Sequence, residues 1–570
     1  MCSTNHYPSP DSEMVGAGKT ETTRKQTPTL ELSSAAQLPE SSNCLSCSED
    51  GRYLSMGHSR GLSVWCATSF VCVAEWLQDS LEIMCIQIIR MAETVYLLGT
   101  VDDMGVARIF EFHSEAVHLL TVVNHMENVN KRRICLALEL SEGGDYGAAA
   151  MSCKGDVWLE VYHLPLEAWL KELKRTQSQD PSEHVDAEWS HFSVVLKIRP
   201  AGTTLHEPLK DMKTTDFFTH CCSLDVESSS SCQRLCTHHF LLPCGQLPGD
   251  SKKKFQPAGL PVAVCVWWSG SHNLLQYSLH KVPKNKPADV EPMPDVILPN
   301  AKEILCSAVS RCTQYIVVGL EGAMVYVWDR QSGSPLSVVL VSAADSAFLR
   351  VQLVDYWPES ADDLQMFTAK VQLLVLCKSG VIYSVTTGRG TQSCTMQLTE
   401  RSKDSKDLPT VITSVPFLHS LSLMVQRNGK MFLQDVINQT TVCYLTPPAS
   451  HLFTTPCKPV YALSAKQKTL LIQGDQDPNC SALSEGGNQS QLFIFQFGEI
   501  DITKKYIVPL PDPPQQQTVC CVNLEESCNL YLEQRAQSVD ERNKAVTQTW
   551  TQLQETAVTL QQQDGSATAS

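Results

Sequence analysis

The sequence predicts an all-β fold, a WD40-like β-propeller of seven or eight blades with a disordered N-terminal tail and a C-terminal helix. Three observations predict it. Short apolar runs rich in β-branched and aromatic residues recur in pairs, each pair joined by a glycine-bearing turn. The turn glycines Gly61, Gly105, Gly155, Gly322, Gly380 and Gly429 return roughly every 45–60 residues, apart from one long gap, which is the WD-type blade period stretched by loops. The runs are also near-continuously apolar rather than alternating, as a sheet covered on both faces by neighbouring blades requires. Sandwich domains in series are the alternative arrangement.

The clearest unit is Ile304–Pro335. Tyr315–Val318 and Met324–Trp328 are too short for helices, Gly319-Leu320-Glu321-Gly322 supplies the turn, and Trp328-Asp329 followed by Gly333-Ser334-Pro335 closes it. The same grammar recurs in chain order. Leu45–Trp65 turns at Glu49-Asp50-Gly51 and again before Gly61, Val95–Phe112 at Asp102–Gly105, and Gly143–Leu164 at Lys154-Gly155-Asp156. Val262–Leu279 precedes the opening unit. Leu373–Val385 and Leu421–Val436 follow it, turning at Lys378-Ser379-Gly380 and Asn428-Gly429. Leu470–Phe497, divided by a polar stretch over 474–490, is the eighth candidate.

A WD unit of the usual kind locks its strands with His, Asp, Ser or Thr, and Trp in one hydrogen-bonded set. Here Trp328 is present, but the turn offers Glu321 and the middle strand Val318. In the first repeat Arg60 holds the acidic place, and His58 lies in the turn. The expectation is that packing, rather than that network, holds the blades together.

Composition narrows the function. Across 570 residues, 43% are hydrophobic and 19% charged, the balance of a globular protein. A net charge of −16 opposes binding to the phosphate backbone, so nucleic acid is not an expected partner. No apolar run approaches ~18 residues, and the first residues carry no apolar signal region, so neither membrane nor secretion is expected. The 24 cysteines fall largely inside strand-like runs (Cys66, Cys72, Cys85, Cys265, Cys306, Cys377), where a free thiol acts as a small hydrophobe in a reduced, intracellular protein.

Several stretches imitate chemistry. Gly16-Ala17-Gly18-Lys19-Thr20 resembles the end of a phosphate loop, but Glu13 stands where the leading glycine belongs and no strand precedes it. Cys44-x-x-Cys47 could mimic a redox pair, yet no βαβ pattern surrounds it. His220, Cys221, Cys222, Cys232, Cys236, His238, His239 and Cys244 are zinc-ligand types without the framing turns of a structural site. No catalytic, cofactor-binding or metal-ligating residue is assigned. Pro165–Arg175 reads as a short amphipathic helix with Leu166, Trp169, Leu170 and Leu173 on one face, packed on its own blade in preference to docking a partner.

The organisation read from these signals is a disordered tail over 1–40 and a propeller over 41–508 with a long insertion at about 167–260. A Pro/Gln-rich linker over 509–522 and a helix over 523–563 follow.

The segments TVDDMGVARIF (Thr100–Phe110) and GGDYGAAAMSCKGDVWLEVYHLPLEAWLKE (Gly143–Glu172) closely resemble the WD repeat-containing protein 93 family of vertebrates. The resemblance runs from about Glu31 to the end of the propeller. It implies a non-enzymatic scaffold in the C1d projection of the central apparatus of motile cilia, supporting motility and located in the axoneme and cytoplasm. Implied partners are very large projection subunits and a calmodulin-binding component, with no cofactor and no small-molecule substrate. Two alternatives stand beside it: a redox or electron-transport-associated protein using the Cys/His-rich loop, and a soluble cytoplasmic assembly adaptor.

Overall fold

The computed structural model describes residues 27–507 apart from several internal segments, of which the longest are 201–235, 244–259 and 355–369, and scattered positions between 544 and 555. Its described strands form eight sheets, each built on an antiparallel meander, and the last two also take in a strand from residues 29–37. Blades 1 to 8 span residues 42–77, 83–122, 134–198, 236–299, 304–340, 348–397, 409–445 and 451–496. Every repeat read from the sequence therefore becomes a blade, and the count is eight. We letter the strands of each blade a to d from the ring axis outward. Strand a of one blade packs on strand a of the next, as Ser42–Cys47 does on Ile83–Arg90 and Ile304–Val309 on Phe348–Val354. Because each strand reverses the last, the b–c turns and d–a connections share one face of the ring, and the a–b and c–d turns share the other.

The core lies between blades. Leu62 and Val64 of blade 1 pack with Ile86, Leu98, Phe110 and Phe112 of blade 2. Val317, Val325 and Val327 of blade 5 meet Val351, Leu373 and Val375 of blade 6. Central strands are thus buried on both faces: all residues of Tyr96–Asp102, Ala263–Trp268 and Met324–Asp329 are buried. This explains the continuous apolar runs, since a strand with a blade on each side has no face left for water. A one-residue register shift recurs in the a–b pairing after Ser42, Ile83, Ile304 and Phe348, adding twist near the axis. The six predicted turn glycines all take positive φ, from 72° at Gly105 to 133° at Gly61.

Two expected boundaries are corrected. The propeller does not begin at 41. Ser34–Gln37 pairs antiparallel with Gln491–Gln496 as the outermost strand of blade 8, and Thr29–Leu30 pairs in parallel with Thr440–Leu445 at the edge of blade 7. The ring is therefore closed by the start of the chain. An outermost strand faces solvent, so its residues are polar and read as a tail. Leu30 and Leu38, 5% and 4% exposed, anchor it, with Leu32 and Ala36 packed partly buried beside them. Residues 1–26 lie outside the described residues.

Nor is 167–260 one insertion. Ser193–Ile198 is strand d of blade 3, and Cys236–Leu241 is strand a of blade 4. Between strands c and d of blade 3 runs helix α1, Leu166–Ser178. Its apolar face turns inward as expected: Trp169 is 1% and Leu173 8% exposed. Trp169 Nε1 donates to the Ser190 carbonyl at 2.8 Å, and the Ser190 amide donates to Glu172 Oε2 at 3.1 Å. α1 is a wall of blade 3.

Polar latches supplement the packing, which refines the third expectation. Asn300, in the connection into blade 5, accepts from Trp328 Nε1 at 3.1 Å and donates to the His272 carbonyl of blade 4 at 3.1 Å. Asn124, in the connection into blade 3, accepts from the Ala107 amide and donates to the Gly105 carbonyl, both at 2.8 Å. In blade 1 the usual charges are reversed. The acid, Glu40, lies in the connection and the bases lie in the turn: His58 Nδ1 is 3.4 Å from Glu40 Oε2, and Arg60 pairs with Oε1. Burial raises the Glu40 carboxyl, but hydrogen bonds from Ser59 and Arg60 and the charges of His58 and Arg60 outweigh it and hold the group below its ordinary value. A further signal lies in the a–b turns. The hydroxyls of Ser48, Ser141 and Ser310 accept from the amides of Tyr53, Tyr146 and Tyr315 at 2.9, 3.1 and 3.0 Å, so Ser-x4-Tyr marks blades 1, 3 and 5.

Candidate protein-docking surface

Of the stretches singled out for chemistry, the structure describes Cys44, Cys47, Cys236, His238 and His239. Gly16–Thr20 lies outside the described residues, as do His220, Cys221, Cys222, Cys232 and Cys244. Cys44 and Cys47 share strand a of blade 1, both unbridged, and burial pushes the Cys47 thiol up to about 12 and the Cys44 thiol well above its ordinary value. Such thiols are poor nucleophiles.

Cys236, His238 and His239 belong to strand a of blade 4 and join its neighbours. His238 Nε2 stands 3.2 Å from Glu139 Oε2 of blade 3, and His239 Nε2 shares a 2.8 Å hydrogen bond with Ser307 Oγ of blade 5, which also accepts from Trp267 Nε1. No group of three metal-ligating side chains forms among the described residues. Burial pushes the His239 imidazole down to about 4, the nearby Glu139 opposing and His238 reinforcing the shift. Unfolding therefore takes up a proton between pH 6.5 and about 4, so stability present above pH 6.5 is lost as pH falls through that window. The loss amounts to about 3 kcal/mol. In His239→Gln the urea midpoint flattens between those two values. An unaltered pH slope would refute the assignment.

The aspartate of the Trp-Asp pair closes the c–d turn. Asp329 accepts from the Gln331 amide at 3.1 Å and the Ser332 hydroxyl at 2.9 Å, and Asp435 accepts from the amides of Ile437 and Asn438 at 2.9 and 3.0 Å. In blade 1 that position is Cys66, whose Sγ lies 3.1 Å from Thr68 Oγ1. Hydrogen bonds from Ser69 and Thr68, placed as if for a carboxylate, pull its thiol down to about 6. We expect Cys66 to react with an aromatic disulfide reagent at pH 7 ahead of the buried Cys135, Cys265 and Cys377. Cys66→Asp should remove one equivalent from the fast phase and leave the fold intact. A fast phase unchanged by that substitution would contradict it.

Two open concavities among the described residues lie on the b–c face of blades 6 to 8. One cleft, of about 450 Å³, separates blades 6 and 7 and carries Glu400, Arg401, Asp407 and Lys430 around Met424 and Phe432. A second, of about 600 Å³, separates blades 7 and 8, walled by Arg427, Lys430 and Tyr444 above Met431, Leu445 and Phe453. Tyr444, edge-on to Phe432 at 5.9 Å, forms the ridge between them. The sequence offered the Asn428-Gly429 turn that lifts Lys430 but no sign of either cleft, since the linings come from different blades. No helix among the described residues is long and apolar enough to cross a membrane.

Eight blades closed by an N-terminal strand, with clefts on one rim, define a WD-type propeller, a protein-interaction scaffold. Residues 42–325, blades 1 to 4 and most of blade 5, match the model of the WD repeat-containing protein 93 family, and the chain belongs to that family. Solved structures with a similar architecture include Chaetomium thermophilum Sqt1 bound to the N-terminus of ribosomal protein L10 (12% identity, TM-score 0.45, 83% of this chain and 100% of that one). The Dos1 propeller is similar at 10% identity and TM-score 0.45, over 81% of this chain and 95% of that one. The computationally designed Ika8 protein is similar at 12% and 0.42, over 82% and 99%.

Proposed function

We propose that this chain is a non-enzymatic scaffold of the C1d projection of the ciliary central apparatus, where it supports motility by holding other proteins against its rim. Membership of the WD repeat-containing protein 93 family is the observation that carries this reading. The fold suits it: most buried side chains are committed to packing between blades, leaving turns and rim clefts for partners. The partners are very large projection subunits and a calmodulin-binding component. The net charge of −16 suits neutral or basic proteins better than the acidic tubulin surface.

A tagged copy in multiciliated cells tests it. The expected result is a line along the axoneme that vanishes when the central pair is absent and resists detergent until high salt. Diffuse signal released by detergent alone would identify a cytoplasmic assembly adaptor instead, and mitochondrial signal would overturn both.

A further inference from the structure

We infer that the cleft between blades 7 and 8 is a docking groove for an extended protein segment that carries an apolar anchor beside a carboxylate. The inference rests on the scaffold reading and names the chemistry of the partner that scaffold would hold.

Charge is the first reason. On a chain of net charge −16, the residues lining this cleft include Arg427 and Lys430 and no acid. The Lys430 side chain is exposed, and its ammonium meets no hydrogen-bond or ion-pair partner among the described residues. The neighbouring cleft, on the other side of Tyr444, shares Lys430 but adds Glu400 and Asp407 as well as Arg401. The positive character is therefore local to the blade 7–8 side and complements an anionic group.

Apolar surface is the second reason. The floor is made of Met431, Leu445 and Phe453, which are 1%, 1% and 4% exposed, so a side chain entering the cleft meets close-packed hydrocarbon. The lips are Tyr444 and Leu452, 38% and 50% exposed, both large apolar groups left to water beside an unpaired cation. An aliphatic or aromatic anchor would cover Leu452 while an adjacent carboxylate reached Lys430, the pairing of pocket and charge that peptide grooves use.

Placement is the third reason, and it favours a segment from another protein. The continuously described chain runs to Ile507, which bridges Leu418 in the a–b turn of blade 7, on the opposite face from the cleft. At the other end Thr29 itself lines the cleft, but the residues before it, Arg24 and Lys25, are basic and unsuited to Lys430.

An array of twelve-residue peptides probed with the purified full chain tests the assignment. Leucine or phenylalanine is held at one position, and flanking positions carry glutamate, lysine or serine. The acidic peptides should be retained about fivefold more than the lysine peptides, with the difference shrinking as salt is raised. Lys430→Gln should remove the preference, Lys430→Glu should reverse it, and Leu452→Ser should weaken all peptides without changing the order. Thermal unfolding of the variants should match the parent, since both side chains are exposed. Equal retention of acidic and basic peptides overturns the proposal. So does Lys430-dependent binding to phosphatidylcholine vesicles containing phosphatidylserine without peptide selectivity, which would make the cleft a lipid contact. Either failure leaves the axonemal reading standing, because that reading is decided by localisation.

Discussion

Replacing Glu111 with glutamine or leucine raises the stability of the propeller above pH 7. Glu111 lies mid-strand in blade 2, paired with Leu97 on one side and His118 on the other. It is 1% exposed, and neither carboxylate oxygen has a hydrogen-bond partner among the described residues. Burial alone pushes its carboxyl up from 4.5 to about 7. The folded chain therefore holds a proton that the unfolded chain releases, and stability is fully present below pH 4.5 and lost as pH rises through about 7. Above that point an ionised carboxylate sits in hydrocarbon at a cost of about 2–3 kcal/mol. Glu111→Gln should gain much of that back at pH 8, little at pH 5, and raise the melting temperature by a few degrees. Glu111→Leu should do the same and abolish the pH dependence from this site. Destabilisation by both variants at pH 8 would show that the carboxylate has a partner.

Gly319→Ala is expected to be among the most damaging one-methyl additions. Gly319 in strand b of blade 5 pairs with Cys306 in strand a. A Cβ there would lie 2.7 Å from Cys306 Sγ, 3.0 Å from Phe348 and 3.1 Å from Val351 of blade 6. Blade 1 repeats the joint, with Gly57 opposite Cys44 and against Ile83 of blade 2. In both, the glycine makes room for a thiol and for the first residue of the next blade, so its replacement forces two blades apart. The expected cost is about 2–3 kcal/mol by chemical denaturation. Cys306→Ala in the Gly319→Ala background should recover part of it, a coupling that independent sites would not show. Additive effects of the two substitutions would sink the account.

These joints show what was readable and what was not. Periodicity sufficed for the fold because every blade repeats the same demand: two covered faces give apolar runs, and each tight turn needs a residue at positive φ, which Gly155, Gly322 and Gly429 supply. α1 was legible for the same reason, its stripe matching a wall to cover. The Cys44–Gly57 and Cys306–Gly319 spacings are also in the sequence, but only pairing shows that thiol and glycine face each other.

Where the sequence misled, the cause was solvent or distance. Ser34–Gln37 read as tail because an outermost strand needs no apolar face. The Cys/His stretch offered zinc-ligand types from which no ligand was assigned, and only the structure shows His238 turning to Glu139 in one blade and His239 to Ser307 in another. By itself, then, the sequence determined the repeat, the fold class and the family. Which blade strand closes the ring, which buried carboxylate lacks a partner, and where Lys430 and Leu452 converge were decided by tertiary structure alone. Each depends on residues far apart in the chain meeting across a blade boundary, and no local pattern encodes that.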